Sequence, residues 1–183
     1  IIMEDNLEQL RYPIGRYQKP EAYTPELMLE WIAVLKALPL WMDACIENLD
    51  EAQLLVPYRE GGWNTQEVIH HVADSHMNAY VRLKLALTED SPTIKPYAEA
   101  EWAKLMDTAI VPVNISVTLL HALHRRMVVL LENMSAADWD RTYYHPDHQR
   151  NFPVWELVAL YAWHSRHHTE HIKQLRERMN WGV

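Results

Sequence analysis

Apolar residues recur every three or four positions over four long stretches of the chain, the spacing of helices with one buried face. These predicted helices cover about 24–48, a stretch that begins at Asn64 and ends before Ser91, about 114–132, and 153–180. Almost no segment shows the strict alternation of a half-buried strand. The pattern therefore predicts an all-α fold, an antiparallel four-helix bundle with short extra helices and loops.

Local signals support the beginnings and ends of these helices. Thr24 is a good N-cap and is followed by Pro25, which favours the first helical position. Asn64 with Glu67 three residues later resembles a capping box. Gly182 predicts the end of the last helix.

The remaining segments predict connections around one domain that spans residues 1–183. Pro13, Gly15 and Pro20 indicate that residues 1–24 form an extended N-terminal arm. A short helix is expected near 98–106, and 141–152 is expected to be a loop with a little extended structure.

Charge and composition exclude several classes of function. The 25 Asp and Glu outnumber the 17 Lys and Arg, and the net charge of −8 argues against nucleic-acid binding. No run of apolar residues is long enough for a membrane span, so no membrane role is expected. The single cysteine, Cys45, excludes an internal disulfide and a zinc site built from cysteines, and it fits a reducing cytoplasm.

The chain has 11 histidines, and two groups of them lie on predicted helices. In the run WHSRHHTEH, His164 and His168 are one helical turn apart, as are His167 and His171. At about 100° per residue, His164 and His168 fall on the apolar face, whereas the other pair falls toward its flank. A metal ion would satisfy both inward imidazoles, but so would hydrogen bonds to other helices, and the pattern leaves both interpretations open.

The second group, VIHHVADSHM, lies on the second predicted helix. Its periodicity places His76 within the apolar stripe, His71 to one side of it, and His70 on the exposed face. Three histidines without cysteine are typical of an open catalytic zinc site, in which water or substrate takes the fourth position. Imidazoles also bind nickel, iron and cobalt.

Four motifs together resemble the YfiT-like branch of the DinB superfamily. They are RYPIGRY at 11–17, GGWNTQEVIHHVADSHMNAYVRLKLALTE at 61–89, YHPD at 144–147 and YAWHSRHH at 161–168. The resemblance implies a four-helix bundle that binds one divalent metal ion, with zinc or nickel expected, through three histidines. It further implies a cytoplasmic metal-dependent hydrolase, often a homodimer. The relatives closest in pattern are also considered thiol S-transferases that use bacillithiol.

The same resemblance assigns the metal ligands to His71, His164 and His168. For the last helix it agrees with the periodicity, whereas on the second helix it favours His71 over His76, and we follow the family motif. Arg166 departs from close relatives, which often have another histidine there, but it does not lie on the inward pair. Asp74, one turn from His71, is a candidate to orient an imidazole or to act as a base.

These observations leave three hypotheses. The first is an enzyme whose metal activates water or a low-molecular-weight thiol to attack a small-molecule substrate. The second is a metal-binding stress protein without catalysis, and the third is a bundle whose histidines are hydrogen-bonded core residues. The first predicts an open metal site with a pocket whose wall includes parts of the segment 143–152.

Overall fold

The computed structural model describes residues 2–182, with side chains from Leu7 onward, and residue 1 of the predicted arm lies outside this range. In chain order the elements are α1 (Ile2–Arg11), α2 (Pro25–Ile46), α3 (Glu51–Leu54), α4 (Thr65–Thr88), α5 (Glu99–Trp102), α6 (Met106–Ile110), α7 (Val113–Glu132), α8 (Ala136–Trp139), β1 (Thr142–His145), β2 (Arg150–Pro153) and α9 (Val154–Met179). The four long helices are those that the apolar periodicity predicts.

The predicted caps at the helix beginnings are confirmed. The Thr24 hydroxyl accepts a hydrogen bond from the Leu27 amide. Asn64 and Glu67 form a complete capping box, with both side chain to backbone bonds at 2.8 Å. The end of α9 agrees with the predicted bound near Asn180. Asn180 itself is the left-handed C-cap, and Gly182 takes a positive φ of 68° two residues later.

The long helices form the predicted four-helix bundle, in which α2 and α4 each pack against both α7 and α9. Two neighbouring pairs are antiparallel. Between α2 and α7, Leu35 contacts His124 and Asp43 contacts His121, so residue numbers rise along one helix as they fall along the other. The same holds between α4 and α9, where His71 contacts His168 and Ser75 contacts Tyr161. The prediction of an antiparallel arrangement therefore holds for these two pairs.

The other two neighbouring pairs, α4 with α7 and α2 with α9, run in the same direction. The connection 89–112 is long enough to return along α4, and the Gln66 side chain donates to the Thr108 carbonyl at 2.7 Å. Helix α7 consequently starts beside the start of α4, where His70 Nδ1 lies 2.7 Å from the Ser116 hydroxyl oxygen. A connection of this length removes the reason for neighbouring helices to alternate in direction.

The N-terminal arm is not extended throughout, so that part of the prediction is wrong. Residues 2–11 form α1, and only the part from Tyr12 to Thr24 is irregular. Pro13 and Gly15 lie just after α1, where Gly15 has a φ of 80°. The segment 141–152 does contain extended structure, because β1 and β2 pair as an antiparallel hairpin.

Buried apolar side chains form two clusters along the bundle. One includes Trp31 and Leu83, and the other includes Met42 and Val72. In the part of the chain that the structure describes, no helix combines the length and the apolar character needed to cross a membrane.

Candidate metal centre and adjoining pocket

Three histidines from two helices meet in the interior of the bundle. His164 and His168 lie one turn apart on α9, and His71 faces them from the first half of α4. The Nε2 atoms of His71 and His164 are 3.2 Å apart, and one nitrogen of each of the three rings lies within 4.8 Å of the others. The structure thus brings together the three residues that the sequence singles out.

These imidazoles are in an environment that keeps them neutral. Burial lowers the pKa of His71 to about 4, and burial with the neighbouring ring of His71 holds the pKa of His164 well below its usual value. Burial and His164 do the same to the pKa of His168. A neutral imidazole has a lone pair on one nitrogen, which is the form that binds a metal.

The spacing of the ring nitrogens fits a tetrahedral cation. Bonds of about 2.0–2.1 Å from zinc to nitrogen place two nitrogens of a tetrahedral site about 3.3 Å apart. The distance of 3.2 Å between the Nε2 atoms of His71 and His164 matches that value. The chemistry and spacing of this donor set therefore fit a divalent ion.

A second group of three imidazoles, His167, His168 and His171, shares one member with the first. His171 is less available to a metal because both of its ring nitrogens have partners: Nε2 donates to the Arg11 carbonyl at 3.1 Å, and Nδ1 lies 3.4 Å from His168 Nδ1. Its ring also stacks on Tyr58, with centroids 4.0 Å apart. The first group is therefore the better candidate metal centre.

A cavity of about 590 Å³ opens beside the histidine group, within the range of about 300–1,000 Å³ usual for small-molecule sites. His164 forms part of its wall and is partly exposed. His145 and His148 from the hairpin also line it, as the sequence predicts for the segment 143–152. Among the described residues, Arg82 Nε and His145 Nδ1 at this cavity are buried without a hydrogen-bond partner.

Asp74 lies three residues after His71 in the sequence, but the two side chains are not hydrogen-bonded. Its carboxylate makes no hydrogen bond to His71 within residues 2–182. Burial and the neighbouring Asp107 raise the pKa of Asp74 to about 6. Its role as a base or as an orienting group stays a prediction.

The structure also adds histidines that the sequence reasoning missed. His124 of α7 is 1% exposed and contacts His76, whose inward position periodicity correctly predicts. His70 is buried rather than exposed, because its ring hydrogen-bonds with Ser116 and the Val111 carbonyl. The other histidine of α7, His121, is exposed and contacts Asp43, so the spacing of histidines within this helix did not indicate that His124 points inward.

Comparisons with known proteins identify the family to which this chain belongs. The sequence model of the DinB superfamily matches residues 41–172. The chain belongs to the DinB superfamily. Two similar relatives, from Bacillus mycoides strain KBAB4 and Bacillus cereus strain AH820, bear the name "Putative metal-dependent hydrolase". Each is 47% identical to this chain over 175 residues, which cover 96% of this chain and all of the relative.

A solved DinB-like structure is also similar over nearly the whole chain. YfiT from Bacillus subtilis is 41% identical and superposes with a TM-score of 0.92, covering 95% of this chain and 99% of that one. It is described as a probable metal-dependent hydrolase with an unusual four-helix bundle topology. The resemblance that the sequence motifs indicate is thereby confirmed at the level of family and fold.

Proposed function

We propose that this protein is a metal-dependent hydrolase whose divalent ion is held by His71, His164 and His168. The observation that carries the proposal is the convergence of three neutral imidazoles, one of which, His164, forms part of the wall of an open cavity. The names of the DinB relatives support the same reaction class. A structural site would instead be closed by a fourth protein ligand.

When bound, the ion would supply a Lewis acid that lowers the pKa of a coordinated nucleophile. The residues of the cavity then provide the substrate contacts. The guanidinium of Arg82 and the ring of His145 each present a buried nitrogen without a partner among the described residues, and both line the cavity that reaches His164. A substrate with hydrogen-bonding oxygen atoms, such as a carboxylate or an acyl group, would satisfy them.

A low-molecular-weight thiol is the alternative nucleophile, because it would use the same three ligands. Such a thiol would have to come from solution. The only cysteine, Cys45, is buried on α2, and burial raises the pKa of its thiol to about 11. Zinc or nickel as the ion, a homodimer, and a cytoplasmic location belong to the same proposal and rest on the family resemblance.

The proposal is tested with His168→Ala and the matched variant His121→Ala. His121 is an exposed histidine of α7 that contacts Asp43, so its removal should leave the interior unchanged. We expect His168→Ala to lose stoichiometric metal, measured by elemental analysis, and to lose hydrolysis of a panel of small esters and amides. Circular dichroism should show the helix content of both variants to be that of the parent protein.

Two results would contradict the proposal. One is unchanged metal content in His168→Ala, and the other is a parent protein that binds zinc or nickel but hydrolyses none of the panel. Adding bacillithiol or another small thiol with electrophilic substrates separates hydrolysis from thiol transfer, because transfer requires the thiol in stoichiometric amounts.

A further inference from the structure

A chain of hydrogen-bonded imidazoles crosses the bundle behind the candidate metal centre. His124 Nδ1 lies 2.6 Å from the Leu35 carbonyl oxygen, and His124 Nε2 lies 3.0 Å from His76 Nδ1. His76 Nε2 lies 3.2 Å from His164 Nδ1. The chain therefore links α2, α7, α4 and α9 and ends on the nitrogen of His164 that faces away from His71.

The carbonyl at one end of this row of imidazoles determines which nitrogen of each ring carries the hydrogen. A carbonyl oxygen only accepts, so His124 must carry its hydrogen on Nδ1. A neutral imidazole has one N–H, so His124 Nε2 accepts and His76 Nδ1 donates to it. The same rule makes His76 Nε2 an acceptor and His164 Nδ1 a donor. His164 is left with its lone pair on Nε2, the atom that lies 3.2 Å from His71.

These hydrogen positions require neutral rings, and burial keeps the rings neutral. His76 is 0% exposed and His124 is 1% exposed. Burial lowers the pKa of His124 to about 4, so it carries no charge near neutral pH.

We propose that His124 and His76 are positioning residues, which form a relay anchored on the Leu35 carbonyl that holds His164 in the tautomer with its lone pair on Nε2. The inference rests on the proposed function, because the proposed function provides the metal ion that this lone pair would bind. The ordinary alternative is a polar network that only fills the core. It gives the three hydrogen bonds the same direction but leaves metal affinity independent of His124, whereas the relay makes the affinity depend on His124.

A shorter chain of the same kind lies behind His168. His171 Nε2 lies 3.1 Å from the Arg11 carbonyl, so it carries the hydrogen. His171 Nδ1 then accepts from His168 Nδ1 at 3.4 Å. His168 is left with its lone pair on Nε2. Both candidate metal ligands on α9 are thus backed by an imidazole network that a backbone carbonyl anchors, and metal-binding histidines commonly have such partners.

The first test is the metal affinity of relay variants, measured by competition with a chromogenic chelator for zinc and for nickel. His124→Leu removes the acceptor of His76, which then gains by moving its hydrogen to Nε2. That change forces the hydrogen of His164 onto Nε2 and blocks its lone pair. Loss of such an orienting partner lowers metal affinity by about 10–100-fold, and we expect a loss in that range.

Two further variants show whether the effect belongs to the relay. His124→Gln keeps an oxygen that can accept from His76, and we expect it to restore most of the affinity. His70→Leu removes another buried, doubly hydrogen-bonded histidine, which lies on α4 but outside the relay. We expect this control to bind metal within about twofold of the parent, because ligand orientation rather than burial sets the affinity.

The second test reads the tautomers directly and needs no variant to fold. Nitrogen-15 NMR of the histidine rings in the full-length, metal-free protein distinguishes hydrogen on Nδ1 from hydrogen on Nε2. We expect His124, His76 and His164 to carry it on Nδ1. Hydrogen on Nε2 of His164, or His124→Leu with the affinity of the parent, would overturn the relay. A parent protein that binds neither zinc nor nickel would instead refute the proposed function, while the NMR result still decides the relay.

Discussion

Acidification from pH 7 to pH 5 should strongly destabilise the metal-free protein. His71, His124 and His171 are buried, and burial lowers the pKa of each ring from 6.5 to about 4. Between pH 6.5 and pH 4 the unfolded chain therefore binds more protons than the folded chain. Stability falls as the pH drops through this window and is recovered above it.

The size of the effect follows from the two pKa values of each ring. A histidine with a pKa of about 4 when folded and 6.5 when unfolded loses about 2 kcal/mol of stabilisation between pH 7 and pH 5. The three rings together amount to about 6 kcal/mol, which is comparable with the entire stability of a marginal domain.

Urea unfolding of chelator-treated protein at the two pH values measures this loss by circular dichroism. His124→Gln cannot take up the proton at that position, so it should lose about 2 kcal/mol less than the parent. His121→Gln alters only an exposed ring and should behave as the parent does. A parent protein whose free energy of unfolding changes by less than about 1 kcal/mol between pH 7 and pH 5 would refute the reasoning.

Two other predictions concern groups outside the site. Glu156 is 1% exposed and accepts from Arg150 at 3.0 Å and from Lys19 at 3.1 Å; burial would raise its pKa, but these contacts lower it overall. Because both partners are partly exposed, Glu156→Gln should cost about 1–3 kcal/mol of unfolding free energy in urea, and no measurable cost would contradict the pairing. The buried thiol of Cys45 should react with iodoacetamide only in denaturant, and rapid labelling of the folded protein would disprove its burial.

The helices were predictable because their signals are local. Apolar spacing and caps such as Thr24 and Asn64 depend on residues a few positions apart. The direction of α7 relative to α4 was not predictable in this way. It depends on the path of 89–112, which is fixed by long-range contacts such as that of Gln66 with Thr108.

In the candidate site, too, the residues with local sequence signals were predictable and those positioned by contacts between helices were not. His164 and His168 follow from helix periodicity, whereas the inclusion of His71 needed the family motif, because periodicity favoured His76. The structure explains the ambiguity, since His71 and His76 are both buried and contact His164 at its two different ring nitrogens. His124 could not be found from spacing, because its partners lie on other helices.

The histidines form a polar layer between the two apolar clusters of the bundle. On α4, His76 lies between Ala73 of one cluster and Ala79 of the other, and on α7 His124 lies between Leu120 and Met127 in the same way. Each cluster buries its apolar side chains without help from a metal, and that burial supplies most of the stability of the helices. The fold can therefore hold the imidazoles in place before an ion arrives. This separation also makes the fold sensitive to acid, because the buried rings of the layer are neutral and take up protons more readily in the unfolded chain as the pH falls.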